Sequence, residues 1–370
     1  MKRVMWVPVL ALSLLVLGQE GPKRDVGETV AKPRKKGESD SDLPKIPSRM
    51  TKKDKGDVPE GVVSFKSEAF VVNVDVAVLD NKGRFIPKIP RGNFRILEDN
   101  IPQQVTNYGM GEAPMTVCMV IEFNNLYQQY WDYGWYETLT AAYGFLETLK
   151  PEDYVAVVAY DLRPEILSDF STDKRKAYEA MQRLRIPGFS EANLYDALVD
   201  TAERMSEIEG RKAIVLIASG VDTFSKLTFD KTRKRLQEAG VPIYALGILQ
   251  AVREWYDARG YLGPIQRMDF LQADNQMRTF AKETGGQSFF PRFFGEFPGI
   301  FRAIHEALRN QYSLGYSPSN MAKDGKFRRI KVELVDPATN QPLRITDEKG
   351  KPIRYQIIAK AGYTAPREVE

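Results

Sequence analysis

From Phe65 onward the chain begins to alternate. In FVVNVDVAVLD, Val72, Val74, Val76 and Val78 alternate with Asn73, Asp75 and Ala77, the period of two that sends successive side chains to opposite faces of a half-buried strand. NKGR then reads as a turn, and NFRILEDNIPQQVTNY supplies two more short strands around EDN. A few strands of this kind, on the order of 45 residues, do not bury enough to stand alone.

From Ala113 to Asn310 the texture changes to apolar runs separated by amphipathic stretches. MTVCMVIE, YVAVVAY, KAIVLIAS and PIYALGI read as strands, with ILSDF and QSFF as shorter ones. Between them ETLTAAYGFLETL, DKRKAYEAMQRL, NLYDALVDTAERM, FDKTRKRLQEAG, a long helix ending FAKETGG, and PGIFRAIHEALRNQ carry the helical period. Apolar strands alternating with amphipathic helices predict a mostly parallel α/β sheet covered on both faces. Strands return from Tyr312 in YSLGYSP, FRRIKVELV, QPLRI and IRYQIIAKAGY. The expected organisation is an α/β domain over 113–311 inserted into one β-sandwich-like region built from 61–112 and 312–366.

The N-terminus adds a processing signal. Lys2 and Arg3 precede an apolar core from Val4 to Gly18, the length of a signal peptide and short for a membrane span of about 20 residues. Residues 1–19 are therefore expected to direct export, cleaved near Gly18 or kept as an N-terminal anchor; no cysteine follows that would carry a lipid. Residues 20–60, including KPRKKGESDSD and RMTKKDKGD, are too charged and too poor in apolar groups to fold, and read as a linker.

The remaining composition narrows the chemistry. A content of 43% hydrophobic and 28% charged residues is that of a globular protein, and the small net charge of +4 lies largely in the linker, which argues against nucleic-acid binding. The one cysteine, Cys118, sits in an apolar run and reads as a buried thiol, and the one histidine, His305, as a surface or packed helix residue. No HExxH, GxSxG or phosphate-cradling glycine loop occurs, so no catalytic residues are assigned and an enzyme is not expected.

Several blocks in order, VDVAVLDNKGRFIPKIPRGNFRILEDNIPQQV, NLYDAL, GRKAIVLIASGVDT, GVPIYALGI, FAKETGGQSFF, RNQYSLGYSP and AGYTAP, resemble the VWFA-related proteins abundant in Acidobacteria. These are exported proteins built around a von Willebrand factor A domain. The resemblance spans about Phe65 to Pro366. It implies a Rossmann-like A domain, a β-rich flanking region, and binding rather than turnover.

The resemblance also implies a place for metal. A-type domains usually hold an ion at an adhesion site made of Asp-x-Ser-x-Ser after the first strand, a Thr on a second loop and an Asp on a third. Matched onto this chain, the first Asp falls on Glu122, the two Ser on Asn124 and Leu126, the Thr on Ala192 and the third-loop Asp on Ser219. Two hydroxyls have become apolar, one carboxylate has become a hydroxyl, and Glu122 is a methylene longer than Asp. The site is thus expected to be degenerate, with no cofactor, or with weak Mg²⁺ or Mn²⁺ affinity at most through residual oxygens on Asn193 and Asp222.

At the same edge stand Tyr127, Tyr130, Trp131, Tyr133, Trp135 and Tyr136. Aromatic residues with a polar handle dominate binding surfaces, so this rim reads either as a metal-independent protein or glycan contact or as packing at the start of the next helix. A second segment, Leu249 to Gln276, carries Trp255, Tyr256 and Tyr261 amid charges and reads as a long irregular insertion. The functional expectation is an exported module binding a protein partner of unidentified nature. The alternatives are a metal-dependent adhesion protein and a structural subunit of a cell-envelope assembly.

Overall fold

The computed structural model describes residues 70–367, except 113, 125–130, 185–190, 209, 249 and 347–348. The expected signal segment and linker lie outside the described residues.

The first elements are β1 (Val72–Asp80), β2 (Phe94–Glu98), β3 (Ile101–Gln103) and β4 (Val105–Glu112). NFRILEDNIPQQVTNY therefore carries three strands, β2, β3 and the start of β4, where the sequence suggested two. Asp99 and Asn100 both adopt positive φ, 48° and 68°, the backbone that a two-residue hairpin between β2 and β3 requires.

The α/β part follows with β5 (Met115–Glu122), α1 (Trp131–Glu147), β6 (Tyr154–Tyr160), β7 (Pro164–Ser171), α2 (Lys174–Gln182), α3 (Leu194–Ser206) and β8 (Arg211–Ala218). It continues with α4 (Phe229–Ala239), β9 (Ile243–Gly247), α5 (Gln250–Ala258), α6 (Pro264–Thr284), β10 (Ser288–Phe289) and α7 (Phe297–Arg309). The strands form one sheet in the order β10-β9-β8-β5-β6-β7, parallel except for the edge strand β7. The central strands are near-continuous apolar runs because both faces are covered, one by α1, α2 and α7, the other by α3, α4 and α6. Helix ends follow local chemistry: the Thr228 side chain accepts from Lys231 N–H at the start of α4, and Gly240 closes it with φ 63°.

The chain then adds β11 (Asn310–Tyr316), β12 (Phe327–Leu334), β13 (Ile345–Thr346), β14 (Pro352–Ile353), β15 (Tyr355–Ala359) and β16 (Gly362–Thr364). Strands from before and after the α/β part interleave in two sheets, β15-β1-β11-β4 and β16-β12-β2-β3. Val72, Val74, Val76, Val78, Ile96, Tyr312, Leu314 and Tyr316 fill the core between them.

Two features fasten this sandwich to the α/β part. The strands entering and leaving the insertion, β4 and β11, pair with each other from Glu112↔Asn310 onward, and β11 follows α7 without a linker. In addition β1 is half-buried only over its first residues. Ala77 and Leu79 on its other face are buried, with Ile358 of β15, in the core under α7. Beneath that junction the buried Arg309 guanidinium pairs with the fully buried Asp153, whose Oδ1 accepts from Met115 N–H at 3.0 Å. An ion pair out of water holds only with such extra hydrogen bonds.

Candidate functional site

The sheet order reverses direction at β5: β6 lies on one side and β8 on the other. In open α/β sheets the crevice beyond the strand ends at such a switch point is where ligands bind. Glu122, the last residue of β5, stands opposite Tyr160 of β6, while Ser219 follows the end of β8.

The Glu122 carboxylate is only 7% exposed. Its Oε1 accepts from the Asn124 side-chain amide at 2.8 Å and the Ser219 hydroxyl at 3.0 Å. Its Oε2 accepts from Ser219 N–H at 2.6 Å, with the Tyr160 hydroxyl farther away at 3.5 Å. Burial raises the Glu122 pKa, and the bonds from Ser219, Asn124 and Tyr160 oppose that rise. Tyr160 is pushed well above its ordinary pKa by burial and by the charges of Glu122 and Asp222. The next residue, Gly220, has φ +84°, and a Cβ there would lie 2.9 Å from Met277 Cε and 3.0 Å from Ala273 O of α6. The loop can turn against α6 only with glycine in that place.

The third loop is tied to the second as well. Asp222 Oδ1 accepts from Leu194 N–H at 2.8 Å and Tyr195 N–H at 3.2 Å, the first residues of α3. Asn193, at the N-cap position, makes no capping bond, so the acid at the positive end of α3 comes from another loop. Burial raises the Asp222 pKa against these bonds. Thr223 Oγ1 accepts from Ala192 N–H at 2.9 Å, and Ala192 O accepts from Thr223 N–H and Phe224 N–H. The Asn193 amide donates to Leu162 O at 3.1 Å, and Ser225 Oγ lies 2.5 Å from Asp222 Oδ1 and 2.9 Å from Asn193 Oδ1.

The matched positions Glu122, Asn124, Ala192 and Ser219 do meet at one edge; Leu126 lies outside the described residues. A Mg²⁺ ion takes oxygen ligands at about 2.0–2.1 Å in octahedral array. Here both Glu122 oxygens face protein donors, Ala192 is apolar and buried, and the Ser219 hydroxyl, bonded to Glu122, also accepts from Val221 N–H. This donor set does not fit that ion. Of the two oxygens offered as residual ligands, Asp222 Oδ1 is bonded to the first N–H groups of α3 and Asn193 Oδ1 accepts from Ser225, while the Asn193 amide donates to Leu162 O. Sequence reasoning missed Tyr160, Thr223 and Ser225. The polar run Thr223-Phe224-Ser225 just after Asp222 was the available signal.

Residues 250–276 are not an irregular insertion but a helical hairpin of α5 and the start of α6. Gly260, with φ 72°, terminates the first helix region and Pro264 begins the next, a combination readable as a helix stop and start. The hairpin is held from inside by buried Arg253, whose Nη2 pairs with buried Asp274 at 2.9 Å and whose guanidinium lies 5.0 Å from the Phe270 ring centre. On its outside Trp255, Tyr256 and Tyr261 form a cluster with ring centres 4.9–6.2 Å apart, and the Arg259 guanidinium stacks 3.7 Å from the Trp255 ring centre. Trp255 is 48% exposed and Tyr261 63%, while Tyr256 is half-buried. Ile265, Met268 and Leu271 are exposed on α6.

Of the other rim, Tyr136 is exposed on α1. Tyr127 and Tyr130 lie outside the described residues, as do the side chains of Trp131, Tyr133 and Trp135. Cys118 is buried in β5, its thiol pushed up to about 12 by burial. Among the described residues no group of three or more His, Cys, Asp or Glu could hold a metal ion, and no helix is long and apolar enough to cross a membrane.

The class is thus a doubly covered α/β sheet with one antiparallel edge strand and a buried polar cluster at its switch point. Residues 129–291 match the von Willebrand factor type A domain. The match runs from just before α1 to just beyond β10 and leaves out β5 and α7. No curated protein matches the chain. Similar solved structures include the von Willebrand factor domain of the type V pili tip protein Mfa5 from Porphyromonas gingivalis, at 13% identity over 54% of this chain and 97% of that one, with a TM-score of 0.39. A von Willebrand factor type A protein from Catenulispora acidiphila is similar at 11% identity over 81% and 76%, with a TM-score of 0.38. The proximal thread matrix protein 1 of the mussel byssus is 12% identical over 54% of this chain and about half, 49%, of its own, with a TM-score of 0.39.

Proposed function

We propose that this chain is an exported, non-enzymatic interaction module of the VWFA-related type. It takes a protein partner on an aromatic surface at the C-terminal edge of its A domain, without a divalent ion. The observation that carries this reading is the α5–α6 hairpin. It leaves the sheet edge beside Ser219, since α5 starts just past β9 and Ile248 N–H donates to Ala218 O at 3.0 Å. Trp255 and Tyr261 are exposed there although their neighbours Arg253 and Asp274 are buried and paired. Large aromatic side chains held by a rigid base lose little freedom on binding, which makes such clusters effective anchors. Export rests on the Lys2–Arg3 and Val4–Gly18 segment, and metal independence on the engaged oxygens of Glu122.

The test uses the full mature chain, treated with EDTA and immobilised, against envelope extract of the source cells. A partner is expected to be retained in EDTA and lost with W255A/Y261A at unchanged melting temperature. Retention by that variant would sink the aromatic surface. Retention only after Mg²⁺ or Mn²⁺ is restored would return the protein to metal-dependent adhesion.

A further inference from the structure

The three loops that an ion would join are already joined by side chains. Glu122 bonds the loop after β5 to Ser219 of the loop after β8, through both its N–H at 2.6 Å and its hydroxyl at 3.0 Å. Asp222, Thr223 and Ser225 of that same loop bond to Ala192, Asn193 and the first N–H groups of α3. Asp196 extends the seam by accepting from Lys226 N–H and Leu227 N–H. Gly220 then presses the third loop onto Met277 and Ala273 of α6, the helix that carries one side of the aromatic hairpin.

We propose that Glu122 acts as a built-in latch, a side-chain substitute for the ion, which fixes the three edge loops in one arrangement and so presets the α5–α6 surface. The proposal rests on the metal-independent reading above and gives it a physical cause. Glu122 is a positioning residue here. Its extra methylene relative to Asp is what lets a carboxylate rooted on β5 reach the backbone of Ser219, and the Asp-to-Ser change at Ser219 removes the second acid that would otherwise repel it. Both departures from the metal-binding pattern therefore belong to one arrangement in which each residue needs the other.

Amide hydrogen exchange of the full chain in EDTA tests this, comparing wild type with E122A and with the milder E122Q. In wild type, peptides covering 191–195 and 219–227 are expected to be protected, and millimolar Mg²⁺ to change nothing. E122A should speed exchange in both peptides by about tenfold or more, since both belong to one hydrogen-bonded unit, while β6 and β9 stay protected. E122Q, which keeps one acceptor oxygen, should lie between and remains informative if E122A does not fold. Unchanged exchange in both peptides for both variants overturns the latch but leaves the metal-independent reading standing. Slower exchange of wild type on adding Mg²⁺, absent in E122A, overturns both. A positive control is E122D/N124S/L126S/A192T/S219D, which restores the residue types of all five matched positions and is expected to make edge-loop protection depend on Mg²⁺; protection that persists in EDTA would show that the substitutions do not release the latch, and would overturn the coupling proposed between Glu122 and Ser219.

Discussion

The chain's single histidine, His305, lies half-buried on α7 with its Nε2 accepting from Arg309 Nε–H at 2.9 Å. Burial, and then the Arg309 charge, lower its pKa from the ordinary 6.5. A folded-state pKa below the unfolded one means that the unfolded chain binds more protons between the two values. The stabilising contribution is therefore present above about pH 6.5 and lost as the pH falls through the lowered value. H305Q removes the titrating group. The melting temperature of wild type should thus fall relative to H305Q on acidification below about pH 6.5, with a flat difference above it. A difference independent of pH would show that protonation of His305 is not resisted by the fold.

The α5–α6 hairpin separates support from surface. Arg253 and Asp274 are buried partners, and removing one leaves the other charged and out of water, at a cost of about 3–5 kcal/mol. D274A is expected to lower stability in urea unfolding by an amount of that order. W255A, which removes a half-exposed ring, should cost under about 1 kcal/mol in the same assay. If the two variants lose similar stability, Trp255 is part of the packing and not an anchor on a rigid base. The break between the two helices follows from local signals that a reading for an irregular insertion passed over. Gly260 and Pro264 are stop and start, but charges scattered among aromatics look alike in a loop and on an exposed helix.

At the level of the whole molecule, the sandwich and the A domain share a core and a strand pair. Ala77, Leu79 and Ile358 lie with Phe297, Ile300, Phe301 and Ile304 of α7, and β4 pairs with β11 across the entry and exit of the insertion. Unfolding either part exposes apolar surface of the other, so the described region is expected to unfold in one transition. Cys118, in the centre of the sheet with its thiol raised to about 12, supplies an internal probe. Its labelling by a thiol reagent in increasing denaturant should coincide with the loss of circular dichroism. Labelling that comes clearly earlier would mean that the A domain opens by itself.

Hydrophobic period alone determined the elements that are buried on both faces or one: β5, β6, β8 and β9 as apolar runs, the amphipathic α3, α4 and α7, and the first residues of β1. These follow from where water is, a property each segment carries locally. The residue types at the matched positions were equally plain, because a carboxylate, an amide and a hydroxyl at set places can be read directly along the chain. What those groups bond to was decided only in three dimensions. Glu122 and Ser219 are 97 residues apart, as are many pairs with no contact. Parallel pairing of β5 with β8 is what brings their ends together. The same holds for Asp222, whose partners at the amino end of α3 no spacing announces, and for Ala77, which reads as the wet side of a strand until α7 covers it. A hydrogen bond acts over about 3 Å, so its partner is fixed by the packing of distant elements and not by spacing along the chain.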